Sequence, residues 1–400
     1  MAYKVSGPFT QNGREVVIAE AVRTPIGKAH PEKGWFRDTH PNAMLAATYQ
    51  ELIKRTGLDP MAVEDLIIGC TAPFGEQSRN IGRNAWLQAG FPPEVPATTL
   101  DRRCGSAQSS INFGAAQVAS GVHDVVIAGG VEHMGHVPMN SPAKISELYG
   151  EPWTPEMWER YDFVNQGESA ELIADKWGIS RTEMDEFAVR SHALATAAID
   201  AGRFKDEMVP MDLDGEIRYS DQTVRPSTSL ETLAGLKPVF RPENGRVTAG
   251  TSSPICDSAA GVVLCTREAA EKHGLKIRAQ IADQTTVGVD PIIMLTGPIP
   301  ATHKLLERNN LSINDIDLFE VNEAFSSVVL AWERELQPDM DRVNVNGGAI
   351  SLGHAVGATG ARLFATLLSE MERRDSHLGL VTMCCGGGLG TGTLIERVDQ

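Results

Sequence analysis

The sequence predicts an α/β fold in which one unit is used twice, with a further segment inserted between the copies. Three observations carry this. Short apolar runs of strand length alternate with longer helical stretches, the order of a layered α/β protein with mixed or parallel sheets. The order strand, reactive-looking turn, small-residue helix, strand occurs in both halves, as a duplication requires. Residues 131–250 break the pattern and are richer in Met, Trp, Pro and charge.

In the first half, VVIAE (16–20), LIIGC (66–70) and DVVIAGG (124–130) read as buried strands. Between the last two lies CGSAQSSINFGAAQVASG (104–121). Its density of Ala, Ser and Gly suits a helix packed closely on all sides, and Gly121 is a C-terminal stop. In the middle region, Ser180 and Glu183 form a capping box and Gly202 closes the helix they open. Met184, Phe187, Ala188, Leu194, Ala195, Ala198 and Ile199 form its apolar stripe. The region 131–250 is therefore read as an inserted loop domain, a common way to shape a substrate pocket. In the second half, DLFEV (317–321) is a strand, a helix is expected from about His354 to Arg373, and LGLVTMC (378–384) and TGTLIERV (391–398) are strands.

Composition removes several classes of function. The net charge of −16 argues against a nucleic-acid binder; Arg102, Arg103 and Arg225 are the local basic candidates for an anionic ligand. No run of 18 apolar residues predicts a membrane span, and MAYKVSGPFTQNG lacks the apolar centre of a signal peptide. A cytoplasmic protein is expected. The six cysteines include no CxxC pair and no zinc-like spacing, so neither a disulfide framework nor a metal site is expected. His133 and His136 invite a metal reading, but no acidic or cysteine partner has suitable spacing. The Walker pattern and GxSxG are absent.

Three positions can carry chemistry. Cys104, in TTLDRRCGSAQ, stands at a strand-to-helix turn, where the helix dipole favours a thiolate and Gly105 allows close approach. A buried packing cysteine is the plainer alternative. His354, in SLGHAVGATG, stands at the matching turn of the second half, and Cys–His is the simplest activated thiol. Asn322 follows a strand and offers an amide, or is a turn residue. The stretch TMCCGGGLGTG (382–392) leads into a strand, which excludes the dinucleotide fingerprint. Adjacent cysteines on a strand point to opposite faces. One of Cys384 and Cys385 therefore faces a pocket and the other faces packing.

The motifs CGSAQ at 104, NEAF at 322, GHAVGATG at 353 and CCGGGLG at 384 resemble, in order, those of the thiolase family. TAGTSSPICDSAA at 248, VRTPIGK at 22, GGVEHM at 129 and VNVNGGAISLGH at 343 extend the likeness over nearly the whole chain. The resemblance implies a duplicated αβαβα layered fold, with residues 1–130 as the N-terminal half completed by part of 251–275, a loop domain at 131–250, and a C-terminal half at 276–400. It implies the reaction acyl-CoA + acetyl-CoA ⇌ 3-ketoacyl-CoA + CoA, with no tightly bound cofactor and no metal, in a homodimer or homotetramer. Cys104 is then the acylated nucleophile and His354 its base. Cys384 exchanges a proton with the α-carbon, and Asn322 holds a water beside His354. The N–H groups of Cys104 and Gly386 form a second oxyanion hole. Ser253 contacts the pantetheine arm, and Arg225 the nucleotide of coenzyme A. FGEQSRNIGRNAWL and MDRVNVNGGAISLGH resemble degradative thiolases of actinobacteria, including those that shorten steroid side chains. The thiolytic direction is therefore expected, on a fatty-acid or steroid side-chain substrate. One departure is Ala355, where the family's motif has proline after the histidine. A ketosynthase-type condensing enzyme is the nearest alternative, and Cys384 distinguishes against it.

Overall fold

In chain order the strands are β1 (Val16–Arg23), β2 (Gly27–Lys28), β3 (Asp65–Gly69), β4 (Ala97–Leu100), β5 (Val125–His133), β6 (Met211–Leu213), β7 (Glu216–Arg218), β8 (Cys256–Thr266), β9 (Ala279–Gly288), β10 (Leu318–Val321), β11 (Leu378–Cys385) and β12 (Leu389–Glu396). The structure, a computed structural model, describes residues 14–398. The segment on which the signal-peptide reading rests lies outside them.

Hydrogen bonding joins ten strands in the order β10-β11-β12-β9-β1-β8-β5-β3-β4, with β2 attached to β8. The duplication is visible in the pairing. From β4 the neighbours run parallel to β3, parallel to β5, antiparallel to β8 and antiparallel to β1. From β10 they run parallel to β11, antiparallel to β12 and antiparallel to β9. The counterpart of β4 has shrunk to one parallel bridge, Phe319 to Val343. The halves meet through a short pairing of Val17 and Ile18 with Gln280 and Ala279.

Two inner helices, Ser106–Ser120 and Thr359–Arg374, lie between the halves and touch strands of both. The helix Pro41–Thr56 covers the outer face of β1, β5 and β8, and Pro298–Asn309 covers that of β9, β11 and β12. The layers are thus helix, sheet, helix, sheet, helix. Small residues in the inner helices permit this spacing. A Cβ on Gly360 would fall 2.3 Å from the backbone nitrogen of Gln108, so the helices touch through backbone. Gln108 also crosses between halves: its amide donates to the carbonyl of Val381 at 3.0 Å and to Thr393 at 2.9 Å. Both acceptors are buried.

The first inner helix begins at Ser106 and ends at Gly121, whose φ of +81° is the left-handed stop that glycine favours. The second corrects the expectation. A four-residue helix, Ala349–Leu352, ends at Gly353 with φ +104°, and the long helix starts only at Thr359. His354 therefore lies in the connecting loop, not on the helix. β8 was not expected as a strand: its first residues, CDSAA, fall within the TAGTSSPICDSAA motif read as a ligand-contacting loop, although AAGVVLC is an apolar run of strand length.

In the middle region the capping box of Ser180 and Glu183 opens Arg181–Asp200, whose Met184, Phe187, Ala188, Ala195 and Ala198 are buried. Leu194 and Ile199 are half-buried. The helices Ser141–Tyr149 and Pro155–Arg160 bury none of their residues. Among the described residues, no helix is long and apolar enough to cross a membrane.

Candidate active site

Cys104 follows β4 at the entry to the first inner helix. Arg103 before it takes φ +50°, and Gly105 after it is the N-cap. This tight turn presents the Cys104 sulfur to a cavity of about 300 Å³. Met134, Val137, Met139, Trp153, Met294 and Val356 give the cavity an apolar lining, and Gly386 and Gly387 form part of its floor. Cys104 is 3% exposed, and burial pushes its thiol up to about 11 against the backbone N–H groups of Gly386 and of Cys104 itself, which favour the thiolate.

The loop carrying His354 reaches the same cavity through Val356. Burial, with Arg362 adding to it, holds the His354 imidazole down at about 3. Its Nε2 faces the side-chain nitrogen of Asn322 at 3.4 Å. Its Nδ1 lies 2.7 Å from the hydroxyl of Thr359, which donates to the carbonyl of Ala355 at 2.9 Å. Asn322 is fully buried and its Oδ1 has no partner, leaving an acceptor open to a donor such as water. At neutral pH the site therefore holds an uncharged thiol and an uncharged imidazole.

Cys384 and Cys385 lie on opposite faces of β11. Cys384 belongs to the apolar cluster of Met294, Leu295, Ala324 and Phe325, and burial, with the neighbouring sulfurs, pushes its thiol well up. Of that cluster, Met294 lines the cavity. Cys385 packs on the other side, where its sulfur meets Gly105 and Thr391.

Ser253 is half-buried and its N–H donates to the carbonyl of Ala324 at 3.0 Å, which ties it to the strand turn beside Asn322. Arg225 is exposed and lines a separate shallow depression with His192, Thr223, Ser252 and Pro254. His133 uses both ring nitrogens on the protein. Nδ1 accepts from the N–H of His136 at 3.1 Å and Nε2 meets the carbonyl of Phe36 at 3.0 Å. Burial holds its pKa down at about 4.

Sequence reasoning missed three features. Thr359 lies within the GHAVGATG motif, but the motif does not say that its hydroxyl faces the histidine ring. Glu132, buried beside the cavity, accepts from the N–H groups of Thr71 at 2.8 Å and Ala72 at 3.1 Å and from Gln77 at 2.9 Å, fixing the loop that forms one wall. The third is an aromatic lid. Trp153 and Phe163 line the cavity and stack at 5.5 Å, with Trp158 edge-on to both.

Comparison with known proteins agrees with this architecture. The family description "Thiolase, N-terminal domain" matches residues 16–268, and "Thiolase, C-terminal domain" matches residues 275–397. These matches make the protein an acyltransferase. The chain belongs to the thiolase family. It is 45% identical to the steroid 3-ketoacyl-CoA thiolase FadA6 of Mycobacterium tuberculosis, over 98% of each chain. It is 43% identical to a 3-ketoacyl-CoA thiolase of Shewanella loihica, over 96% of this chain and all of that one. The crystal structure of the Bacillus anthracis acetyl-CoA acetyltransferase superposes with a TM-score of 0.86 at 37% identity, covering 96% of this chain and 99% of the other.

Proposed function

We propose that this protein is a 3-ketoacyl-CoA thiolase working in the degradative direction, with Cys104 as the acylated nucleophile. The observation that carries the reading is the buried Cys104 sulfur at an apolar cavity, beside the backbone N–H of Gly386. A thiol nucleophile splits the difficult carbon–carbon cleavage into two acyl transfers. His354 takes the Cys104 proton, and the thiolate adds to the 3-keto carbon. The bond between C2 and C3 then breaks, leaving an acyl group on Cys104 and the enolate of acetyl-CoA. Cys384, held as a thiol by burial, protonates C2. The thiol of incoming coenzyme A takes the acyl group. Its proton and the one held by His354 return both cysteines to thiols.

The N–H groups of Cys104 and Gly386 receive one oxyanion, and a water on Asn322 with His354 receives the other. Ser253 is assigned to the pantetheine arm and Arg225 to the nucleotide of coenzyme A; the exposed guanidinium of Arg225 suits a phosphate-bearing group. No tightly bound cofactor or metal enters these steps. For the acyl group we favour a bulky alicyclic or steroid-derived chain, supported by the aromatic lid and by the likeness to FadA6. The six cysteines are all free, as suits a reducing cytoplasm, and the open edge at β4 can seat a second copy in a homodimer or homotetramer.

Incubation with acetyl-CoA followed by intact mass measurement tests the nucleophile. An acetyl adduct is expected on Cys104 and is lost in C104A. An unmodified, folded protein would overturn the reading.

A further inference from the structure

We propose that Thr359 is a positioning residue that fixes the ring tautomer of His354. The carbonyl of Ala355 accepts from three donors of the following turn: the N–H of Ala358 at 2.9 Å, the N–H of Thr359 at 3.0 Å and the hydroxyl of Thr359 at 2.9 Å. We place the hydroxyl proton toward Ala355, the acceptor one helical turn back. Its oxygen presents a lone pair to Nδ1 of His354, 2.7 Å away, and a lone pair can only receive an N–H. With that placement Nδ1 carries the ring proton, and Nε2 is left as the base.

The other side of the ring agrees. The side-chain nitrogen of Asn322 is a donor, and it faces Nε2 at 3.4 Å. A proton on Nε2 would set donor against donor there. Both neighbours thus select the same tautomer. Neither solvent nor a carboxylate does this work: His354 is 5% exposed and Thr359 is 2% exposed. The assignment also explains how Ala355 serves in place of proline. The turn is held through the carbonyl of residue 355, which alanine supplies equally, and not through its side chain.

The role matters because only the free Nε2 can take the Cys104 proton, and a histidine held in the wrong tautomer loses most of its value as a base. This inference rests on His354 being the base proposed above. The experiment compares T359V, T359S and H354A by the rate of Cys104 acetylation from acetyl-CoA, across pH 6 to 9, with melting temperature as the control for folding. T359V matches threonine in shape and lacks only the hydroxyl, so packing alone predicts no change. We expect T359V to lose about 10- to 100-fold, the range for partners that orient a histidine, while T359S stays within about threefold. T359A supplies the same readout should T359V fail to fold. Acetylation by T359V at the wild-type rate, or a loss in T359S equal to that in T359V, would overturn the role of Thr359. Full acetylation by H354A would instead overturn the base assignment.

Discussion

The sulfur of Cys385 occupies the space into which a side chain at Gly105 would grow. A Cβ there would stand 2.6 Å from that sulfur and 3.0 Å from Cγ2 of Thr391. Gly105 has an ordinary φ of −84°, so the constraint is steric and not conformational. The end of β11 in one half thus dictates the residue beside Cys104 in the other.

This contact gives a coupled prediction. G105A should cost about 1–3 kcal/mol of stability through overpacking and slow Cys104 acetylation. C385A alone should leave turnover within about threefold. In the double variant the smaller residue makes room, so much of the G105A loss should return. Denaturant unfolding and acetylation rates on the four proteins check it; strict additivity would show that the two sites do not share the space.

Replacing the other cysteine should separate the two half-reactions. C384A keeps Cys104, Gly386 and His354, so acetyl-CoA should still label Cys104. Thiolysis of a 3-ketoacyl-CoA should fall at least about 100-fold, because no acid remains to protonate C2. A C384A enzyme with near-normal thiolysis would reassign that proton.

The pH profile should lack an ordinary histidine limb. Burial holds the His354 imidazole at about 3, far below its usual 6.5. A lowered pKa keeps the base neutral as acid is added, so the rate of Cys104 acetylation should not fall between about pH 7 and pH 5 on account of His354. Rapid-quench measurement over that range tests this, and a limb centred near 6.5 would contradict it. The same sign governs stability at His192, which burial holds at about 4. From about pH 6.5 down to 4 the unfolded chain binds a proton that the folded site refuses, so stability is lost as pH falls. H192N should lose less stability than the wild type between pH 7 and pH 5.

The lid should set selectivity for acyl shape. W153A removes one face of the Trp153–Phe163 stack above the cavity. kcat/KM for a bulky alicyclic 3-ketoacyl-CoA should drop about tenfold or more, the scale of losing one large apolar contact, with little change for acetoacetyl-CoA. Equal losses on both substrates would assign Trp153 to folding of the lid.

Much of this was legible in the sequence, for physical reasons. β3, β5, β10 and β11 are short apolar runs buried in the sheet, and such runs announce themselves. The capping box of Ser180 and Glu183 is local chemistry and needs no tertiary information. β8 was hidden because its first half, CDSAAG, is of small residues that pack it between β1 and β5, and composition of that kind resembles a loop. Thr359 was hidden because its meaning lies in one hydroxyl facing one ring nitrogen. The lid was hidden because its helices bury nothing of their own, so no periodic stripe marks it.

The backbone contact between Gly360 and Gln108 has a mechanical consequence. Cys104 stands at the turn into one inner helix, and His354 lies in the loop that leads into the other. The crossing therefore acts as a caliper whose jaws are set by the absence of a single methyl group. Proton transfer is sensitive to small misplacements, and the contact of the two rods fixes the frame from which both turns project. The duplicated halves work as one instrument because their inner helices meet as closely as main chain allows.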